Sequence, residues 1–574
     1  MRIIDIYPAK SEYKIKDTID VVIVFDCLEK DKKFFIEYYV YNLNEIIQTG
    51  KIDVQSDIKE MHIELNINTD KKMSGYGVEV VLRNQDGILQ TVTTAFDILE
   101  NWKYAPRYGF LSDFAVANEE DEEALKAMNK YHINMVQFYD WMYRHHQLIP
   151  ETNTFIDPLG RELSITAVEN KIKLANKYGM KAMAYGAVYG AGENFYKENK
   201  DSALYKNNEE PLGFGDFLYI MDISKDTTWH DHIIVEFEKA IDFGFDGIHM
   251  DQYGFPKEAV GLSNGVKTIR RLRDDFPVFI NDVKDYLCKN GKNIPISFNA
   301  VNNWPVETVA QAKVDCIYIE VWPPNNTYQD LYNIISNAKK HASSKQVVLA
   351  AYIKPYSKLL NIPMEFAQNT AIMTMATIFA CGGFHLLIGE NNGILNDQYF
   401  PLYRTMESIN HVNEMRSYYD FIVRYEELLY DFDLVDNSMV CTGGLNGEYV
   451  FKGQGFSPKA EENKVWTLIK EKPGYKIINL VNYTGIEEIN WNEVKCSRPM
   501  EVNNIEVIVL VSEDVTGIYI ASPDFVMCNS QVLEFDYIEH GQGRAVSFII
   551  PKLKIWDLVY IVFDKTDSKG NAEE

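Results

Sequence analysis

Apolar and polar residues alternate with a period of two up to about residue 100, in IDVVIVF (19–25), FFIEYYVY (34–41), MHIELNI (61–67), YGVEVVL (76–82) and QTVTTAFDI (90–98). Successive side chains of a strand point to opposite faces, so each stretch predicts a half-buried strand. Turn residues separate them, among them Asp86-Gly87. Five or more short strands in so short a span predict a β-sandwich over residues 1–102.

From residue 103 to 425 the pattern becomes strand, then helix, repeated. Candidate strands are residues 107–113, 133–140, 180–188, 245–251, 294–300, 315–322, 346–353 and 382–390. Amphipathic segments lie between them, such as EEDEEALKAMNKY (119–131) and ITAVENKIKLANKYG (165–179), the second closed by Gly179. Eight strands alternating with helices fit a (β/α)8 TIM barrel better than an open sheet, because no glycine-rich phosphate turn follows the first strand. Beyond YYDFIVRYEELLYDFDL (418–434) the period returns to two, in YVFKGQGF, VWTLIK, YKIINLVNY, EVIVLV, GIYIA, AVSFIIP and LVYIVF. Residues 426–574 therefore read as a second all-β unit, a sandwich or Greek key, with a tail (564–574) expected to fray.

Composition narrows the function. A formal charge of -26 argues against a nucleic-acid partner, since binding a polyanion needs a basic patch. The seven cysteines (27, 288, 316, 381, 441, 496, 528) never take CxxC spacing and read as free thiols. His145-His146 and His230-x-His232 have no third ligand at a telling spacing, so neither a metal nor a cofactor is expected. No run of about 18 apolar residues occurs and residues 1–17 show no apolar leader core, so no membrane partner is expected. As given, the chain reads as cytoplasmic, or as secreted if a leader has been trimmed. Oligomeric state is not legible.

A barrel of this kind carries its site at the C-terminal ends of its strands. Those ends hold Asp113; Tyr139-Asp140-Trp141; Tyr185 and Tyr189; Asp251-Gln252-Tyr253; Asn299, with Asn302, Asn303 and Trp304 just beyond; Glu320 and Trp322; His385 and Glu390. A single strand-end Asp is more often a helix N-cap, and a single Trp more often core. Together, carboxylates, amides and aromatic faces suit a sugar, whose hydroxyls pair with the first two and whose C–H faces cover the third. Asp251 and Glu320 are the best pair for bond cleavage. Glu320 sits in IYIEVW, where desolvation should raise its pKa and keep it protonated, whereas Gln252, Tyr253 and Gly254 could hold Asp251 ionised. Asp246, inside the same strand as Asp251, reads as structural.

These segments also resemble glycoside hydrolase family 66, the dextranases and cycloisomaltooligosaccharide glucanotransferases. The resemblance rests on RYGFLSDF (107–114), HINMVQFYDWMYRHH (132–146), AYGAVYGA (184–191), GFDGIHMDQYG (244–254), DCIYIEVW (315–322), GGFHLLIGENNGILNDQYFP (382–401) and YYDFIVRYEELLY (418–430), in order. It implies an immunoglobulin-like sandwich, a barrel and a β-rich C-terminal domain. It further implies retaining cleavage of α-1,6-glucosidic bonds in dextran or isomaltooligosaccharides, with Asp251 as nucleophile and Glu320 as general acid/base. Asp140, Trp141, Tyr185, Gln252, Asn299 and Trp322 form the expected substrate-binding set. The cyclising members, on the same resemblance, carry a carbohydrate-binding module after the seventh strand. Here only residues 353–381, 29 in all, separate Tyr352 from Gly382. That favours an endo-acting dextranase, with an exo-acting or transferring enzyme and an inactive glucan binder as the alternatives.

Overall fold

The computed structural model describes residues 2–26, 33–55, 58–215, 217–263, 265–398, 400–441, 447–453, 455–525 and 529–564. Cys27, Cys528 and the tail from residue 565 lie outside them; the five described cysteines are free thiols. Near the N-terminus a three-stranded sheet (Ile3–Pro8, Ile19–Phe25, Glu60–Leu65) and a four-stranded antiparallel sheet (Glu45–Val54, Phe34–Asn42, Met73–Asn84, Gly87–Leu99) share one apolar core. Period two is visible in it, since Met61, Ile63 and Leu65 are buried while Glu60, His62 and Glu64 between them are exposed. Glu45–Val54 escaped the sequence reading because almost none of it is buried; pairing with Phe34–Asn42 holds it as an edge.

All eight expected barrel strands form one parallel sheet in sequence order. They are β1 (Tyr108–Leu111), β2 (Met135–Phe138), β3 (Lys181–Ala187), β4 (Gly247–Asp251), β5 (Ile296–Asn299), β6 (Cys316–Glu320), β7 (Val347–Ala350) and β8 (Phe384–His385). The seam between β8 and β1 is closed by a parallel bridge of Phe110 to Gly389, where the Phe110 N–H donates to the Ile388 carbonyl at 3.1 Å. A Cβ at residue 389 would sit 2.3 Å from the Phe110 ring, so the seam closes only on glycine. Glu390 braces the same seam, accepting from the Ser112 N–H and hydroxyl and from the Tyr403 hydroxyl. The eighth strand-end carboxylate is thus structural.

The helix Ile165–Lys177 shows how local chemistry sets an element. The Ser164 hydroxyl accepts from the Ala167 N–H at its start, and Gly179, at φ +77°, turns the chain away at its end. Its Ala167, Val168, Ile172 and Ala175 face the barrel. The helix Met364–Ala380 is buried nearly all round because a C-terminal β region covers its outer side, with Thr374 donating to the Trp491 carbonyl. That region contains a sheet built on Val465–Lys472, Tyr475–Asn482, Trp556–Phe563 and Val515–Ala521, and a four-stranded sheet of Tyr449–Phe451, Val502–Leu510, Gly543–Leu553 and Phe535–His540. Trp466, Tyr483 and Trp556 of this region share one apolar core with the barrel. No helix among the described residues is long and apolar enough to cross a membrane.

Two insertions at the barrel mouth were not anticipated. After β3 comes a small sheet of Gly190–Ala191, Leu218–Ile220 and Gly213–Phe214; after β4 comes the hairpin Glu258–Ser263 with Val266–Arg271. The backbones of Tyr205 and Val260 join the two insertions.

Candidate active site

A cavity of about 340 Å³ opens at the C-terminal ends of the strands. Inward side chains recur two apart along a strand, so three strands bring a pair to it: Gln137 on β2 with Tyr139 just beyond, His249 and Asp251 on β4, Tyr318 and Glu320 on β6. Asn299, at the end of β5, sits between the two carboxylates. Its Nδ2 donates to Asp251 Oδ1 at 2.8 Å and to Glu320 Oε2 at 3.3 Å, while its Oδ1 accepts from the Glu320 N–H at 3.1 Å. That backbone contact fixes which way the amide faces. The two carboxylate oxygens can be no farther apart than those two donor distances laid end to end.

Each carboxylate also has a tyrosine. The Tyr185 hydroxyl donates to Asp251 Oδ2 at 2.8 Å, and the Tyr352 hydroxyl donates to Glu320 Oε1. Burial pushes Asp251 up from the ordinary carboxylate range to about 7, and the neighbouring Glu320 charge pushes the same way. Burial also raises Glu320, against the pull of donors from Tyr352, Trp322 and Asn299. This corrects the expectation of one neutral and one freely ionised group. Both are raised, so burial works against the free ionisation that the sequence suggested for Asp251. Of the residues following Asp251, Gln252 contributes its backbone N–H as a donor; the side-chain donors are Tyr185 and Asn299.

Of the expected binding set, Asp140, Tyr185, Asn299 and Trp322 line the cavity with the two carboxylates. Trp141 and Gln252 do not, and both are fully buried. Asp140 adopts φ +48°, and past this kink Trp141 packs against Phe243 and Phe245, its indole N–H donating to the Tyr185 carbonyl. The aromatic face at that strand end is Tyr139 instead, edge-on to Tyr185 and stacked on Phe400 at 4.1 Å. Gln252 braces the following loop: its amide donates to the Asn299 carbonyl at 2.9 Å and accepts from the Gly254 N–H at 2.6 Å. Burial pushes Asp140 up to about 7.

Other strand-end residues serve the scaffold. Asp113 accepts from Ala115 N–H and Asn118, Tyr189 links Phe255 to Tyr253, and His385 donates to the Ala351 carbonyl. Trp304 lies against Phe276 under Lys257. Asp246 accepts from Lys181 and from the Ala182 N–H, as a structural residue would. Of the histidines considered as ligands, His146 accepts from the Gly192 N–H, His232 donates to the His146 carbonyl and His230 to the Ile223 carbonyl, while His145 lines the cavity. No cluster of three or more metal-ligating side chains occurs among the described residues.

Sequence reading missed Gln137, His145, His249, Tyr318 and Tyr352 as cavity residues, and Phe214 and Phe217 from the first insertion. The first group has a signal in hindsight: Gln137, His249 and Tyr318 each stand two residues before a strand-end residue. The phenylalanines, 44% and 49% exposed, carry none, because the insertion itself was not legible.

This constellation lies within residues 8–560, which match the sequence profile of Glycosyl hydrolase family 66. A cycloisomaltooligosaccharide glucanotransferase of Niallia circulans is 26% identical over 634 aligned positions, covering 84% of this chain and 64% of its own length. The alignment is longer than the 574 residues of this chain, so that relative has residues with no counterpart here, and the chain spans less than two thirds of it. A dextranase of Streptococcus salivarius is 23% identical, with 86% of this chain and 68% of the relative covered. In structure, a Paenibacillus sp. cycloisomaltooligosaccharide glucanotransferase complexed with cycloisomaltoheptaose superimposes with a TM-score of 0.87 at 22% identity, over 97% of this chain and 99% of that one. The likeness in fold and the profile match over almost the whole length agree with the paired carboxylates at the barrel mouth: the chain belongs to glycosyl hydrolase family 66.

Proposed function

We propose that the protein is a retaining, endo-acting hydrolase of α-1,6-glucosidic bonds in dextran or isomaltooligosaccharides. The observation that carries this reading is the amide bridge. A single Asn299 Nδ2 within 2.8 and 3.3 Å of the two carboxylates holds those oxygens closer than the roughly 6.5–9.5 Å that an inverting pair needs to admit a water. Asp251 attacks the anomeric carbon while Glu320 protonates the departing oxygen; Glu320 then takes a proton from the water that releases the glycosyl-enzyme. Tyr185 and Asn299 orient Asp251, Tyr352 orients Glu320, and Asp140 and Trp322 offer a carboxyl and an aromatic face to the bound sugar. The division into residues 1–102, 103–425 and 426–574, with immunoglobulin-like and Greek-key flanking domains, belongs to the same proposal.

A second reading, glucosyl transfer with or without cyclisation, is favoured by the names of the glucanotransferase relatives. It uses the same glycosyl-enzyme with a sugar hydroxyl replacing water. Against cyclisation, the stretch between β7 and β8 holds one short turn, Lys354–Tyr356, and one helix, Met364–Ala380. Incubation with dextran and with isomaltotetraose separates the readings. Linear isomaltooligosaccharides of mixed length, released first as the α-anomer, are the expected products. Cyclic or lengthened products would replace hydrolysis by transfer, one small product would mean exo-action, binding without cleavage would leave a glucan binder, and no response to either sugar would sink the substrate class.

The bridge itself is testable. Asn299→Ala is expected to lower kcat about 100-fold, since both carboxylates lose their shared anchor. Its donor favours the ionised form of both groups, so without it both pKa values rise and the alkaline limb of the rate profile moves to higher pH. A profile unmoved in pH would show that Asn299 only packs.

A further inference from the structure

Gly382 makes the turn between the helix Met364–Ala380 and β8, at φ +84°. Polar atoms ring the place where a side chain would begin there: the Lys339 and Lys470 Nζ atoms each lie 2.8 Å from it, and the Leu429 carbonyl oxygen 3.1 Å. The two amino groups can thus be no farther apart than twice that first distance. Lys339 comes from the helix Tyr328–His341 on the barrel, and Lys470 from the strand Val465–Lys472 of the C-terminal β region. Two parts of the fold bring the pair together.

Among the described residues no carboxylate forms an ion pair with either lysine, although Lys470, 3% exposed, is almost wholly out of water. Lys470 donates to the Ala380 carbonyl at 3.0 Å; the partly buried Lys339 donates no side-chain hydrogen bond there. Asp436 stands opposite Lys470 on the neighbouring strand, but its Oδ1 is engaged by the Ser438 N–H at 3.0 Å and hydroxyl at 2.6 Å, and it attracts both lysines only from beyond ion-pair reach. Cys381 adds no counter-charge, because burial pushes its thiol up and keeps it neutral. Burial first, and then the Lys470 charge, push Lys339 down to about 7. Two cations brought together out of water lose hydration and repel each other, and an anion between them offsets both costs.

We propose that Lys339 and Lys470 form a binding site for a small protonated oxyanion, such as hydrogen phosphate, which ties the C-terminal β region to the barrel. An oxyanion oxygen accepts from both ammoniums at the usual charge-assisted length of about 2.7–2.9 Å. The Leu429 carbonyl accepts the anion's own proton, which sulfate lacks at neutral pH. Gly382 leaves the cradle open, since a side chain there would press on both nitrogens. The site is independent of the glucan reading.

The test is calorimetric titration of the full chain with inorganic phosphate, at an ionic strength held constant with chloride. Saturable binding of one phosphate per chain is expected, weakened at least ~10-fold in Lys339→Met. Lys340→Met, at the exposed neighbouring position, is expected to bind as wild type does. Above about pH 7, where free Lys339 is neutral, binding is expected to take up a proton, read as a dependence of the heat on the ionisation enthalpy of the buffer. Lys339→Met is expected to show no such uptake. Without phosphate its unfolding midpoint is expected to stay level or rise, because one of two repelling cations is gone. Phosphate is expected to raise the wild-type midpoint more than sulfate, which stabilises folded proteins generally, and to lose that advantage in Lys339→Met. Equal phosphate binding by wild type and Lys339→Met overturns the site, as does a wild-type gain from phosphate no greater than from sulfate. A lower midpoint of Lys339→Met without phosphate also overturns it, by showing that Lys339 is compensated within the fold.

Discussion

Asp251→Asn is expected to cut turnover of isomaltooligosaccharides by at least ~10⁴-fold and, in the same protein, to raise the unfolding midpoint. The first effect follows because an amide cannot form the glycosyl-enzyme. The second follows from burial. Asp251 is raised to about 7 in the fold, from an ordinary 3.8. A carboxyl with a raised folded pKa binds its proton more tightly in the native state than in the unfolded chain. Its ionisation thus costs nothing below about pH 4, costs progressively more as pH rises towards 7, and costs most above 7. Asn keeps the shape and carries no charge: its Oδ1 accepts from Asn299 and its Nδ2 donates to the Tyr185 oxygen. A gain of about 1–2 kcal/mol is expected at pH 8, fading towards pH 4. Thermal unfolding at several pH values, beside a product assay, checks both. Retained turnover would remove Asp251 from the chemistry, and a lower midpoint at pH 8 would show that its charge is compensated within the fold.

Glu320→Gln is expected to lose about 10³-fold on natural glucans but less than 10-fold in the first step on a glucoside whose leaving group needs no proton, such as a dinitrophenolate. The wild-type pair works singly protonated. Activity falls at low pH as the second proton is added and at high pH as the last one leaves. Because burial raises Glu320, the alkaline fall is expected at higher pH than an ordinary glutamic acid would give. In the variant no acid remains to be lost, so the alkaline limb disappears on the activated substrate. Removal of the Glu320 charge, the second cause of the Asp251 shift, also lets Asp251 ionise below 7. A pre-steady-state burst of dinitrophenolate against pH reads both effects. An alkaline limb that survives in Glu320→Gln would assign the proton donor to another group, and Asp140, also raised to about 7 in the same cavity, would be examined next.

The barrel was legible because strands covered on both faces appear as near-continuous apolar runs broken by turns, and all eight read this way do form the parallel sheet. The Asp251 and Glu320 strand ends were legible for a related reason: a carboxylate closing a buried apolar run needs an explanation that an exposed one does not. Glu45–Val54 and Phe535–His540 were missed because largely exposed strands carry little apolar alternation and depend on their neighbours' hydrogen bonds. The two mouth insertions were missed because short irregular pairings depend on contacts such as Tyr205 to Val260, which sequence spacing does not reveal.

Side-chain direction at the strand ends divides along the same line. Along a strand direction alternates, so the inward pair of Asp251 with His249 is implicit in the spacing of the sequence by itself. Past the last strand residue that rule stops. The positive φ of Asp140 buries Trp141, and the loop hydrogen bonds of Gln252 turn it away from the cavity, although both stand at positions that looked equivalent to Asp140 and Asn299. The order of strands and the depth of the apolar runs that end in the two carboxylates are local, short-range properties of the chain, and the sequence determined them. The Asn299 bridge between Asp251 and Glu320 and the tyrosine that donates to each carboxylate were decided by tertiary structure alone, because each depends on distances between side chains from different strands that only barrel closure brings together.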